Sequence, residues 1–200
     1  MSRIGRFVRR KINAARINLE LKTKGSLAGE RPISTSSIQR KEKMTHQIKP
    51  IPEGFHTITP HLVVKGASQA IEFYKKAFGA QELGRMPGPD GKSIMHAHLK
   101  IGDSHLFLND EFPQMGCRGP EIGTRSPVAI HLYVEDVDSA FATALAAGAQ
   151  PIMAPEDMFW GDRYGKLVDP FGHEWSLATH KLDLTPEEIS KGAQTAFCTE

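Results

Sequence analysis

The sequence predicts an α+β fold of two tandem βαβββ modules that form a cupped, open, barrel-like mixed sheet, and three observations predict it. The first is an internal repeat. A shift of 70 residues pairs His61 with His131, Leu62 with Leu132, Val64 with Val134, Ala70 with Ala140 and Ala77 with Ala147, and a shift of 69 superposes "GAQ" at 79–81 on "GAQ" at 148–150. The second is that each copy opens on an alternating strand pattern and then changes to helical spacing. The third is the turn chemistry that cuts the remainder of each copy into short strands.

Ahead of the modules, residues 1–43 hold 12 Lys and Arg against 3 Asp and Glu, a net of +9, while the rest of the chain carries −7. This stretch has no sustained apolar face and turns rich in Ser, Gly and Pro after residue 25, so a mobile basic extension is expected. An organelle-targeting peptide and a nucleic-acid tail both fit a basic segment, and the third reading, that Met44 is the true start of the folded protein, is favoured. Nucleic acid is not expected as a partner, because no aromatic residues interleave the basic run and the body is acidic. No apolar run approaches the roughly eighteen residues of a bilayer span, so no membrane association is expected. Cys117 and Cys198 lack a CxxC partner, which suits reduced thiols in the cytoplasm, or in an organelle if the extension is a transit peptide.

The folded part is expected over residues 44–200, with module 1 over about 55–115 and module 2 over about 126–181. "TITPHLVV" and "PVAIHLYV" open the two copies as strands. Leu62 and Val64, or Ile130, Leu132 and Val134, share one face; Thr59, His61 and Val63, or Ala129, His131 and Tyr133, share the other. A helix follows each strand, with Ala67, Ala70, Ile71, Tyr74, Ala77 and Phe78 forming an apolar stripe in the first, and Val137, Ala140, Phe141, Ala144 and Leu145 in the second. Gly79 and Gly148 end them, and Asp136 and Asp138 suit the start of the second as cap and dipole partners. "PGPDGK" at 87–92, "IGDS" at 101–104 and "DPFGH" at 169–173 are turns. Last, "LTPEEISKGAQTAF" reads as a capping box, Thr185 with Glu188, opening a helix over about 186–195 that packs Ile189 and Phe197 on the body or on a second subunit.

Paired βαβββ modules, "AIEFYKKAFGA" after a short first strand and the closing "FWGDRYGKLVDPFGHEW" resemble the vicinal oxygen chelate superfamily of glyoxalases, bleomycin resistance proteins, fosfomycin resistance enzymes and extradiol dioxygenases, and within it the PhnB-like branch. The resemblance covers roughly residues 55–181 and implies the glyoxalase and bleomycin resistance fold. That superfamily spans metal enzymes and metal-free drug binders. In its metal enzymes the ligands sit on first and last strands, at positions that match Thr59, Ala129 and Ser176 here, and a hydroxyl and a methyl group do not hold a divalent ion.

His61 and His131 lie two residues further along the same faces and Glu174 lies two before Ser176, so these three are the candidates for a divalent Zn, Ni, Mn or Fe site. The metal-free outcome is favoured. With Leu106 and Leu108 on the helix side, His105, Phe107 and Asn109 join the cleft face, whereas His96 and His98 are read as a half-exposed strand face that binds nothing. In "FWGDRYG", Trp160, Arg163 and Tyr164, beside Phe159, offer stacking surface and a fixed charge for a small-molecule pocket, or else Asp162 and Arg163 form a surface ion pair. "DPFGH" is read as hairpin chemistry, with Trp175 and Leu177 alternating toward the helix. The expected ligand-binding set is therefore His61, His105, Phe107, Asn109, His131, Tyr133, Trp160, Arg163, Tyr164 and Glu174. The function expected is the handling of a small molecule by a homodimer. One form is a lyase, isomerase or transferase acting on a small oxygenated substrate; the other is a metal-free binding or sequestration protein for a drug-like or aromatic ligand.

Overall fold

The computed structural model describes residues 48–121, 123, 124 and 126–197. The basic extension and Cys198 lie outside them. In chain order the elements are β1 (His61–Val64), α1 (Ala67–Phe78), β2 (Gln81–Pro87), β3 (Ile94–Ile101), β4 (Ser104–Asp110), β5 (Ala129–Tyr133), α2 (Val137–Ala146), β6 (Gln150–Asp157), β7 (Asp162–Val168), β8 (Glu174–His180) and α3 (Pro186–Phe197). They form two four-stranded mixed sheets with the same order, β1-β4-β3-β2 and β5-β8-β7-β6. In each, the first strand runs parallel to the last and the other pairs are antiparallel, as two βαβββ modules require. The first strand is shorter than its alternating pattern: β1 begins at His61, because Pro60 has no N–H to give a ladder, and Thr59 lies ahead of the strand.

Each helix lies on one face of its sheet. The stripe of α1 is buried at Ala67, Ala70, Ile71, Tyr74 and Ala77, and it meets Leu62, Val64, Ala97, Leu99, Leu106 and Leu108 in a single core shared with Val137, Phe141, Ala144, Leu167, Trp175 and Leu177 of the second module. Asp136 caps α2 by accepting from the Ser139 amide at 3.2 Å. Gly66, at φ 87°, brings the chain into α1 with no side-chain cap of its own. Its role is filled from across the sheet by Asp110, which accepts from the amides of Gly66 (3.0 Å), Ala67 (2.7 Å) and Ile94 (2.7 Å).

The modules are joined at Asp169, which opens the "DPFGH" turn and is buried. It accepts from the Tyr74 hydroxyl of α1 at 2.7 Å, from the Trp175 indole at 2.9 Å, and from the amides of Phe171 and His173 at 2.9 Å each. Burial and the Asp169 charge push the Tyr74 phenol well above its usual pKa, so it stays a donor. The His173 ring meets the Val63 carbonyl of β1 at 3.1 Å and adds a second tie.

The capping box of α3 forms, with Glu188 accepting from the Thr185 amide at 2.8 Å and Thr185 from the Glu188 amide at 3.3 Å. Ile189 is half-buried, and Gly192 lets the helix approach Phe159 so closely that an added Cβ would lie 2.9 Å from the Phe159 Cβ. The packing expected of the Phe197 side chain falls outside the described atoms. Among the described residues no helix is long and apolar enough to cross a membrane, and Cys117 is a free thiol.

Candidate functional site

The faces turned away from the helices carry the chemistry. In module 1, the register aligns His61 with Phe107 and Phe107 with His98, so β1, β4 and β3 present His61, His105, Phe107, His96 and His98 on one surface. These rings touch one another: His96 and His98 stand edge-on to Phe107 at 4.7 and 5.0 Å between centroids, and His61 stands edge-on to His96 at 5.7 Å. The nearest nitrogens of His98 and His105 lie 2.7 Å apart. Phe55, from the segment ahead of β1, stacks on His105 at 4.1 Å and 12°. Asn109 belongs to this surface by register but is buried and donates to the Asp110 carbonyl at 2.7 Å, so it is spent on the backbone.

Module 2 repeats the geometry with different groups. The pairs His131 with Ser176, Ser176 with Lys166, and Tyr133 with Ala178 with Tyr164 place these side chains on one surface together with Glu174, Asp162 and His180. His131 Nδ1 meets the Ser176 hydroxyl at 2.8 Å and its ring stands edge-on to Tyr133 at 4.6 Å. Asp162, only 6 % exposed, accepts from the Trp160 indole (3.2 Å), the Tyr133 hydroxyl (3.3 Å) and His180 (2.7 Å). Where module 1 has the contact of His98 with His105, module 2 has an ion pair of Lys166 with Glu174.

Two cavities lie where the modules meet. One, of about 240 Å³, is lined by His105, Thr59, Pro60 and Ile101 of module 1 and His131, Leu132 and Trp175 of module 2. The other, of about 360 Å³, is lined by His61, Val63, Pro127 and His173. His61 and His131 thus line different cavities although they are equivalent in the repeat, and Glu174 is paired with Lys166. The candidate trio is not assembled. Among the described residues no three His, Cys, Asp or Glu side chains converge in a way that could hold a metal ion, and Ala129 and Ser176 stand on the face with no donor set around them. The residues present do not fit the metal centre that the resemblance brings into question.

Arg163 corrects the sequence reading most clearly. It alternates with Asp162 and Tyr164 on β7 and therefore points to the helix side, where it binds Asp138 of α2 in a two-pronged contact (2.6 and 2.8 Å) and Asp157 at 3.3 Å. Its partner is Asp138 and not Asp162. Trp160 stands in the turn between β6 and β7, where it also lines a broad groove of about 960 Å³ against α3 with Phe159, Lys191 and Gly192. His96 and His98, read as sharing a half-exposed strand face, do so on β3 and belong to the ring surface, and Phe55, Asp162, Lys166 and His180 were not foreseen as part of either face. Their strand alternation alone would have placed His96, His98, Asp162 and Lys166 on these faces.

The imidazoles divide by environment. His131 is lowered by burial, which the Asp162 charge partly offsets; His96 and His98 are lowered by burial and then by neighbouring imidazoles. His180 is raised, first by its hydrogen bond to Asp183 and then by that to Asp162. The first three bind fewer protons folded than unfolded, so their contribution to stability is present above the imidazole range and lost as pH falls through it. The His180 contribution has the opposite sign: it is present at low pH and lost as pH rises through its raised folded value. An NMR titration of the imidazole resonances is expected to place His96, His98 and His131 below the ordinary value of 6.5 and His180 above it; a His131 midpoint above that value would contradict the burial seen here.

Two βαβββ modules on one core, with ring-lined surfaces opposite their helices, define a scaffold that presents side chains from its strands. The chain belongs to the Glyoxalase/Bleomycin resistance protein/Dioxygenase superfamily, whose family model matches residues 54–177. It is similar to an uncharacterized protein of Mycobacterium tuberculosis, Rv0887c, with 47 % identity over 168 residues, covering 82 % of this chain and 94 % of that one. Among solved structures it is similar to TioX from Micromonospora sp. ML1, with 27 % identity, a TM-score of 0.50, and coverage of 62 % of this chain and 97 % of that one. The PhnB protein from Bacillus cereus shares the fold at 18 % identity and a TM-score of 0.50, covering 62 % of this chain and 99 % of that one.

Proposed function

We propose that this protein binds an aromatic small molecule on the ring-lined surfaces opposite its helices, without a resident metal. One observation carries the reading: on each surface the polar groups are engaged with one another, His98 with His105, His131 with Ser176, Lys166 with Glu174, while ring faces and edges remain to meet a ligand. A metal enzyme needs the reverse, donors held apart from partners and converging on a point. The proposal keeps the homodimer and the cytoplasmic setting expected from the sequence, which sedimentation velocity and cell fractionation test.

The binding test uses the neutral fluorescent probe N-phenyl-1-naphthylamine on full-length protein treated with EDTA. Saturable enhancement is expected, with Phe107→Ala weakening it on the order of tenfold by removing the ring at the centre of the module 1 surface. A transition metal carried at one equivalent, whose removal abolishes probe binding and which is lost in the double substitution His61→Ala and His131→Ala, would overturn the proposal.

A further inference from the structure

Residues 48–60 cross the module 1 surface without belonging to any helix or strand. Among the described residues, their backbone makes two hydrogen bonds: the Phe55 amide to the Pro52 carbonyl at 3.1 Å, within the segment, and the Phe107 amide to the Pro60 carbonyl at 2.9 Å, at its downstream end. Its aliphatic residues are not taken in, since Ile48, Ile51 and Ile58 are 88, 51 and 82 % exposed. The ion pair of Lys49 with Glu53 at 3.9 Å is between exposed side chains and anchors little. One ring does the holding. Phe55 stacks face to face on His105 and reaches His98 at 5.3 Å and Phe107 at 5.8 Å.

We propose that Phe55 occupies the place of a ligand's ring, and that residues 48–60 form a strap that an uncharged, planar, six-membered aromatic or heteroaromatic group displaces when it binds against His105, His98 and Phe107. This rests on the reading of the module 1 surface as an aromatic-ligand site. The surface is a bed of rings on strands β1, β3 and β4, whereas its cover is a segment whose backbone joins the sheet only at its downstream end, through the Pro60 carbonyl, so the exchange costs the strap little besides the ring contacts of Phe55. What an incoming ring gains is the same stack on a rigid bed. The strap thereby lowers apparent affinity by the fraction of time it lies open, and it selects for ligands whose ring fits where a phenyl group fits.

The test compares full-length wild type, Phe55→Ala and Phe55→Leu in titrations with N-phenyl-1-naphthylamine, each with and without Phe107→Ala. If Phe55 is an occupant, Phe55→Ala binds the probe about two- to tenfold more tightly than wild type, Phe55→Leu falls between, and amide hydrogen exchange in residues 53–57 speeds up on adding probe. Weaker or unchanged binding in Phe55→Ala, or slower exchange with probe, overturns the strap and makes Phe55 a wall of the site or a bystander. Failure of the underlying reading looks different: Phe107→Ala then has no effect on probe binding in any of the three backgrounds.

Discussion

Replacing Asp169 with alanine is expected to cost about 3 kcal/mol or more of unfolding free energy, read by denaturant titration. The carboxylate accepts from four donors, and the substitution leaves all four without a partner in the core: the Tyr74 hydroxyl, the Trp175 indole and the amides of Phe171 and His173. Tyr74 and Trp175 are fully buried, so water cannot take over. Tyr74→Phe removes a single donor together with its need, and about 1 kcal/mol is expected for it. Since Tyr74 belongs to α1 and Trp175 to β8, the carboxylate fastens one module to the other. A loss below about 1 kcal/mol for Asp169→Ala would show that the modules are held by apolar packing alone.

The second large effect is expected at Asp110. Its carboxylate caps α1 from the end of β4 and also takes the first amide of β3, so Asp110→Ala should cost about 2 kcal/mol and speed hydrogen exchange at the Gly66 and Ala67 amides first. Module 2 solves the same problem with a neutral group. The Thr179 hydroxyl accepts from the Val137 amide at 2.8 Å and donates to the Val134 carbonyl at 3.0 Å. Thr179→Val should therefore cost only about 1 kcal/mol, and equal losses at the two positions would contradict this account.

The fold was legible because duplication and alternation are written in residue order. His61 with His131, the stripes of α1 and α2 and the capping box of Thr185 with Glu188 needed no tertiary knowledge, and neither did the facing of Leu106 and Leu108. The faces were legible wherever the strand was fixed, which is how His105, Phe107, His131 and Tyr133 were placed. Arg163 was grouped with Tyr164 because "FWGDRYG" was read as one pocket stretch, although neighbours on a strand face opposite sides, and Asp138 and Asp157 take its guanidinium on the helix side. Phe55 escaped notice because nothing local announces a ring that finds its partner some fifty residues away in the chain. Asp169 read as a turn residue and Asp110 drew no reading, and their roles appear only when α1 is laid on the sheets.

The divergence of one diagonal pair between the repeats has a consequence for how the two surfaces respond to their surroundings. In module 1 the position holds His98 beside His105, two rings whose nearest nitrogens lie 2.7 Å apart; in module 2 it holds the ion pair of Lys166 with Glu174, whose attraction is weakened by dissolved ions. Dissolved ions therefore weaken a cross-strand contact on the module 2 surface whose counterpart on the module 1 surface is a contact between two rings. A chain built by copying a single unit has in this way come to hold its two surfaces together by contacts of different kinds.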